Sequence, residues 1–261
     1  MNECQLIFYR NPAIQAYLAA GISTLGMFAI TSWLEGKREV IALGGDRETF
    51  RPVQDYALRV IVHGSRIRLF VNDVEVLSTI LRSTLPPTQP GIFCFDQTDI
   101  TISNFRADAR KGRVFVAMQL SSPYREIYED VVKKICEARY AVRNAEEIYG
   151  PGPIMADVLQ DIVESEFVVA EVTPANANVY YEVGVADAVG KPVILIADRG
   201  QRQTLPFDIA PNRTIYYENT IAGKKKFEED FRRSIAALEQ RFARPVSTGG
   251  IPSGIQPHTR A

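Results

Sequence analysis

The sequence predicts two fold classes in series: an all-β jelly-roll sandwich (N-terminal) and an α/β flavodoxin-like doubly wound parallel sheet (C-terminal). Three observations carry this. Residues 1–108 show short strands with frequent turn signals and no helical periodicity. From Arg113 onward, buried strands alternate with amphipathic helices. Within that second part, 168–198 reads VVAEVTPANANVYYEVGVADAVGKPVILIAD, a strand–helix–strand unit that in one sheet is a right-handed parallel crossover.

In chain order, Leu6–Phe8, Met27–Leu34 and Val40–Leu43 alternate as strands, with Glu35-Gly36 as a turn. The clearest hairpin is 56–77, YALRVIVHGSRIRLFVNDVEVL. Leu58, Val60 and Val62 alternate with Arg59, Ile61 and His63, and Gly64-Ser65 turns the chain. Ile67, Leu69 and Val71 return before Asn72-Asp73 turns it again; His63 is expected to be a solvated turn residue. Pro86-Pro87 and Pro90 break the chain, and GIFCFD and DITISNF supply two closing strands.

Ala107–Gly112 is a polar joint, and Arg113–Met118 opens the second part as a strand. Ser122-Pro123 caps a helix with Tyr124, Ile127, Val131, Ile135 and Ala138 inward. A short strand ends near Arg143-Asn144, and Gly150-Pro151-Gly152 precedes a helix holding Ile154, Val158, Leu159 and Ile162. After the strand Phe167–Val172, Asn176 or Asn178 caps a helix carrying Val179, Val183 and Ala186. Gly190 ends it, the strand Pro192–Ala197 follows, then Thr214–Tyr217 and a final helix striped by Phe227, Phe231, Ile235, Leu238 and Phe242. The domains implied are 1–108, a linker at 109–112, 113–243, and a Pro/Gly/Ser-rich disordered tail at 244–261.

The composition, 46% hydrophobic and 23% charged with net charge −1, describes a globular chain with no basic excess for nucleic acid. No apolar run reaches the length of a membrane span and no secretory signal is visible, so the expected setting is cytoplasmic. The three cysteines stand far apart in sequence, which argues against a disulfide framework and a zinc site. With only His63 and His258, histidine-based nucleophile activation and zinc hydrolysis lack their residues. If the protein is an enzyme, carboxylates and hydroxyls are expected to carry its chemistry, with no metal and no cofactor.

Ligands of open α/β sheets bind beyond the carboxyl ends of the strands, where 168–198 puts Asn176, Asn178, Tyr181 and Glu182. Glu182 is expected in the first helical turn, where the dipole favours its ionised form and suits it to act as a nucleophile. Position alone favours a glutamate that only complements the dipole, and the wider pattern shifts that balance.

The segment ALRVIVHGSRIRLFVNDVEV, then PGIFCF and DITISNFRA, resembles part of a laminin-G/concanavalin-like jelly-roll sandwich. That resemblance implies a partial domain with an open edge, and a protein or carbohydrate partner or a second copy of the chain on it. Residues 113–217 resemble the nucleoside 2-deoxyribosyltransferase-like family, whose layout is shared with TIR domains. The densest match is VVAEVTPANANVYYEVGVADAVGKPVILI, with VFVAMQLSS and LPFDIAPNRTIYY weaker. The resemblance implies that Glu182 attacks the anomeric carbon of a nucleoside or nucleotide, as in retaining glycosidases. It further implies Asp157 as the supporting carboxylate, displaced one step because Val158 occupies the family's position. Substrate contacts are expected from Asn176, Asn178, Tyr181, Met118, Ser121, Arg143 and Asp208. NAD enters as a substrate under a TIR-like reading in which assembly switches the enzyme on; a non-catalytic nucleotide-sensing or scaffold module is the third alternative.

Overall fold

The computed structural model describes residues 3–24, 27–46, 48, 51, 54–81, 85, 88–96, 99–147, 154–201 and 214–243. The Pro86-Pro87 break, the Gly150–Gly152 turn, Asp208 and the 244–261 tail lie outside them.

Residues up to Phe95 build two antiparallel sheets. The larger runs β4-β3-β2-β1-β8, from β1 (Glu3–Asn11), β2 (Ala16–Ile22), β3 (Phe28–Leu34), β4 (Lys37–Gly44) and β8 (Gly91–Phe95). The smaller runs β5-β6-β7, from β5 (Leu58–His63), β6 (Arg66–Val71) and β7 (Val74–Ile80). Their facing sides share one apolar core in which Leu18, Ala20, Phe28 and Ile30 meet Ile67, Leu69 and Val71. The period-2 alternation of the 58–71 hairpin therefore reports its buried face correctly. Glu35-Gly36 and Asn72-Asp73 each hold two residues at positive φ, the geometry of tight hairpin turns.

One strand goes unread in the sequence, and one expected strand fails. The strand β2, AYLAAGI, escapes a reading by alternation because nearly every residue in it is buried, leaving no polar face to see. The closing strand DITISNF does not form. Residues 99–112 carry no regular element, and Ile102 and Phe105 stand about half exposed. Alternation proposes a strand, but a partner's backbone groups must complete it.

A cleft of about 320 Å³ opens beside the β1–β2 connection, lined among others by Arg10, Asn11, Gln15, Tyr17 and Trp33. The Tyr17 and Trp33 rings stack with centroids 5.5 Å apart, and the Arg38 guanidinium sits 5.8 Å from the Trp33 ring centroid. The Trp33 indole N–H is buried and has no hydrogen-bond partner among the described residues.

The remaining elements form a three-layer α/β/α unit. Its parallel sheet runs β10-β9-β11-β12-β13, from β9 (Arg113–Ala117), β10 (Ala141–Asn144), β11 (Phe167–Glu171), β12 (Val193–Asp198) and β13 (Thr214–Tyr217). That is the 2-1-3-4-5 order of a flavodoxin-type sheet. On one face lie α1 (Tyr124–Ile127), a π-helical stretch Tyr128–Lys133, α2 (Lys134–Glu137) and α5 (Ile221–Ala243), packed through Ile127, Tyr128, Phe227 and Phe231. On the other lie α3 (Ile154–Glu164) and α4 (Ala177–Ala188), packed through Val158, Ile162, Val179, Val183 and Ala186. Ser122 does not cap α1: Pro123 occupies the cap position without a side-chain bond, and the Ser122 hydroxyl faces Glu126 at 3.5 Å.

The β5–β6 turn seats on the C-terminal end of α3. The Ser65 N–H donates to the Val163 carbonyl (3.2 Å), satisfying one of the carbonyls that a helix end leaves open. Around it, the buried Glu164 carboxylate meets Arg113 at 2.5 Å and His63 and Arg66 at 3.6 Å each. The Arg113 and Arg66 guanidiniums also face the negative end of the helix dipole. His63 is thus not a solvated turn residue. Burial, reinforced by the Arg113 charge, holds its imidazole below the ordinary histidine value.

Candidate active site

The carboxyl ends of the parallel strands lie along one edge of the sheet, where β11 ends in Glu171 and β12 in Asp198. Leaving β11, the chain passes Thr173-Pro174 and enters α4 at Asn176, whose side-chain oxygen accepts from the Asn178 N–H (2.9 Å). Of the two expected caps, Asn176 is the one used, and its carbonyl oxygen is committed to that bond.

Starting α4 at Ala177 moves Glu182 out of the first turn into the second. It then falls on the stripe of Val179, Val183 and Ala186, three and four residues from its neighbours, and faces inward. Its residual exposure is 7%, and among the described residues no hydrogen bond or ion pair reaches it. Burial alone pushes its pKa up to about 7. The expectation of a carboxylate kept ionised by the helix dipole is therefore corrected. Desolvation dominates, because the dipole's effect fades beyond the first turn.

The other expected residues divide. Asp157 lies in the first turn of α3, part-exposed, while its neighbour Val158 is sealed in the core, the outcome of a turn of about 100° per residue. Both α3 and α4 begin at the carboxyl edge on the same sheet face, so Asp157 and Glu182 share that end of the layer. Arg143 is exposed, and its charge acts on Asp161 of α3. Asn178 is exposed and Tyr181 is 47% exposed. Ser121 is exposed and accepts from the Gln119 amide (2.6 Å). Met118 is buried in the core on the α1–α5 side. The loop holding Gln119–Ser122 is tied to the β10 end through Leu120 N–H to Glu146 (2.9 Å) and Glu146 N–H to Asn144 (2.8 Å).

A second carboxylate at this edge is Glu171, the last residue of β11 and 2% exposed. Its Oε1 accepts from the Thr173 N–H (2.8 Å) and from the Thr173 hydroxyl, which in turn accepts from the Asp198 N–H (2.7 Å). One side chain thereby fastens the loop leading into α4 to the end of β12. Burial, opposed by the Thr173 hydrogen bonds and by the Tyr217 hydroxyl beside it, pushes Glu171 up to about 8, toward the protonated form. Its Oε2 and the Tyr217 hydroxyl are buried close to one another without well-formed hydrogen-bond geometry. The sequence signal for Glu171 was a single acidic residue inside an otherwise apolar strand.

Replacing Thr173 by valine removes two of these bonds at nearly constant volume. Thr173→Val is expected to lower stability by about 2 kcal/mol and to loosen the α4 entrance, seen as faster amide exchange at Thr173, Asp198 and Asn178. Unchanged exchange at all three would show that the loop is held some other way.

Among the described residues no group of three or more histidine, cysteine, aspartate or glutamate side chains could hold a metal ion. None of their helices is long and apolar enough to cross a membrane. No protein family matches the chain, and no curated protein does. Solved structures similar to it include these two. One is a CMP N-glycosidase from Clostridium botulinum, BcmB, at 21% identity and TM-score 0.37, covering 46% of this chain and 98% of that one. The other is the carbohydrate-binding module CBM66 from Bacillus subtilis, at 16% identity and TM-score 0.28, covering 35% of this chain and 53% of the module.

Proposed function

We propose that this protein cleaves or transfers at the N-glycosidic bond of a nucleoside or nucleotide, with Glu182 as the nucleophile. The observation that carries the reading is a buried carboxylate, without a partner among the described residues, on α4 at the carboxyl edge of the sheet, within the YE-x-G-x-A element. In its ionised form Glu182 attacks the anomeric carbon. The C–N bond breaks, its electron pair leaves with the base, and the base takes up a proton. Water or a second base then displaces the glycosyl ester and restores the carboxylate. Asp157 supports the sugar from the start of α3, and the exposed Asn178 and Ser121 contact it.

The full chain, incubated with deoxynucleosides, their monophosphates and NAD, should release free base from one of these classes, followed by chromatography. Glu182→Ala should release none. Equal release by that variant, or silence of the wild type with all three, removes the reading. Turnover of NAD only by oligomeric fractions moves it to the TIR-like alternative, and nucleotide binding without product moves it to a sensing module.

The cleft by Trp33 supports a second reading, in which the antiparallel part takes a carbohydrate. An aromatic pair can cover a sugar's apolar face while Arg10, Asn11 and Gln15 meet its hydroxyls. Trp33 is the single tryptophan, so its emission should shift as neutral oligosaccharides are titrated. An emission spectrum indifferent to every sugar tried would exclude the cleft as their site.

A further inference from the structure

Cys4 and Cys94 are ninety positions apart in sequence but directly opposed across β1 and β8 in the antiparallel register. Their sulfurs lie 3.4 Å apart, and all three cysteines of the chain are free thiols. Opposed residues of an antiparallel pair have Cα atoms about 4.5–5.5 Å apart, inside the span of about 4.4–6.8 Å that a disulfide requires. Closing from the observed contact to a covalent bond takes about 1.4 Å, within reach of small side-chain rotations. Cys94 is exposed on an edge strand, Cys4 is half-buried beside it, and Cys136 is sealed in the core of the other part.

We propose that Cys4 and Cys94 are a redox modification site, closing to a cross-strand disulfide when the protein meets an oxidised low-molecular-weight disulfide. The exposed Cys94 thiolate attacks one sulfur of the small disulfide, forming a mixed disulfide and releasing one small thiolate. Cys4 then gives its proton to water and attacks the Cys94 sulfur, releasing the second small thiolate. Two protein thiols are oxidised and one small disulfide is reduced to two thiols. Burial, with the hydrogen bond and charge of Cys94, pushes the Cys4 thiol up to about 12. Conversion of Cys94 to the mixed disulfide removes the two contributions that come from Cys94, so the first step prepares the second.

The bond would fasten β8 to β1. On its other side β8 has no strand partner among the described residues, and Phe95 is 63% exposed. An apolar edge strand is prone to fraying and to pairing with other chains, and the staple would oppose both. It would also fix the point from which residues 99–112 depart toward β9.

The test incubates the full-length chain with oxidised glutathione and counts free thiols after denaturation. The expected result is a monomer in which only the Cys136 thiol remains, with Cys4 and Cys94 recovered in one linked peptide. Its thermal midpoint should lie about 5 °C or more above that of Cys94→Ser treated identically, and a reductant should abolish the difference. A product that stops as glutathionylated Cys94, a dimer joined through Cys94, or three unreacted thiols would each overturn the proposal. Cys136→Ser should react as the wild type does, which separates this pair from general oxidation.

Discussion

Glu182→Gln is expected to abolish base release, by about a thousandfold or more, while making the protein more stable at pH 8. Both effects have one cause. The Glu182 carboxyl is buried on the apolar stripe of α4 without a partner among the described residues, and burial pushes it up to about 7 from an ordinary value of 4.5. Below pH 4.5 the group is protonated in both folded and unfolded chains and favours neither. Between 4.5 and 7 the unfolded chain sheds the proton while the folded chain keeps it, so stability falls as pH rises. Above about 7 the loss is complete. Discounted for partial solvent screening, it amounts to about 2 kcal/mol. Glutamine carries no such cost, so the variant's advantage should emerge above pH 4.5 and level off above 7. Catalysis runs the opposite way. A nucleophilic carboxylate must be ionised, so kcat/KM of the wild type should rise about tenfold per pH unit up to about pH 7 and then flatten. Parallel pH profiles of turnover and thermal midpoint check both halves. A variant that turns over like the wild type would remove Glu182 from the chemistry. A variant that loses activity with no gain in stability at high pH would show that the carboxylate is better solvated than its 7% exposure indicates.

Gly64→Ala is expected to destabilise the protein by about 3 kcal/mol, far more than the same change at Gly36. Both glycines sit at positive φ, +54 and +79, so both variants pay the left-handed strain of about 1 kcal/mol. At Gly36 the added methyl meets nothing within 4 Å. At Gly64 it would stand 2.4 Å from the Ser165 carbonyl oxygen and 2.8 Å from the backbone of Glu164. Backbone cannot move aside as a flexible side chain can, so the turn must lift off α3. The Ser65–Val163 hydrogen bond goes with it, and the buried Glu164 loses His63 and Arg66 from its surroundings. Equilibrium unfolding in urea measures the difference between the two variants. Faster proteolysis within residues 99–112 of Gly64→Ala would report the lost contact directly. Equal stabilities would mean that the turn is not seated on α3 in solution.

The same docking makes His63 a sensor of the junction. Its folded value is depressed, so its contribution is present above the ordinary histidine value and is lost as pH falls and the ring takes a proton.

The order of elements was legible because it rests on local periodicity. The 58–71 hairpin shows its buried face as alternation, and α4 shows its stripe at three- and four-residue spacing. Alternating strands and helices pointed to a parallel sheet with right-handed crossovers, while the 2-1-3-4-5 order itself came from the structure. The YE-x-G-x-A helix after a small polar loop was equally visible, and with it Glu182 as a residue of interest. What stayed hidden depends on groups distant in sequence. Glu171 looks like one acidic residue in an apolar run until Thr173, Asp198 and Tyr217 close around it. His63 looks like a hairpin tip until α3 meets it.

By itself, the sequence indicated most of the segments that become strands and helices, which of their faces are apolar, and Glu182 as a residue of interest. Tertiary structure alone decided the electrostatic state of Glu182, the neighbours of Glu171 and His63, and the meeting of Cys4 with Cys94. The physical reason is that periodicity is a property of neighbouring residues, whereas desolvation and cross-strand contact belong to whichever distant surfaces fold together. Helix geometry placed a carboxylate on the stripe of α4; only the layers packed around that stripe raised it to about 7.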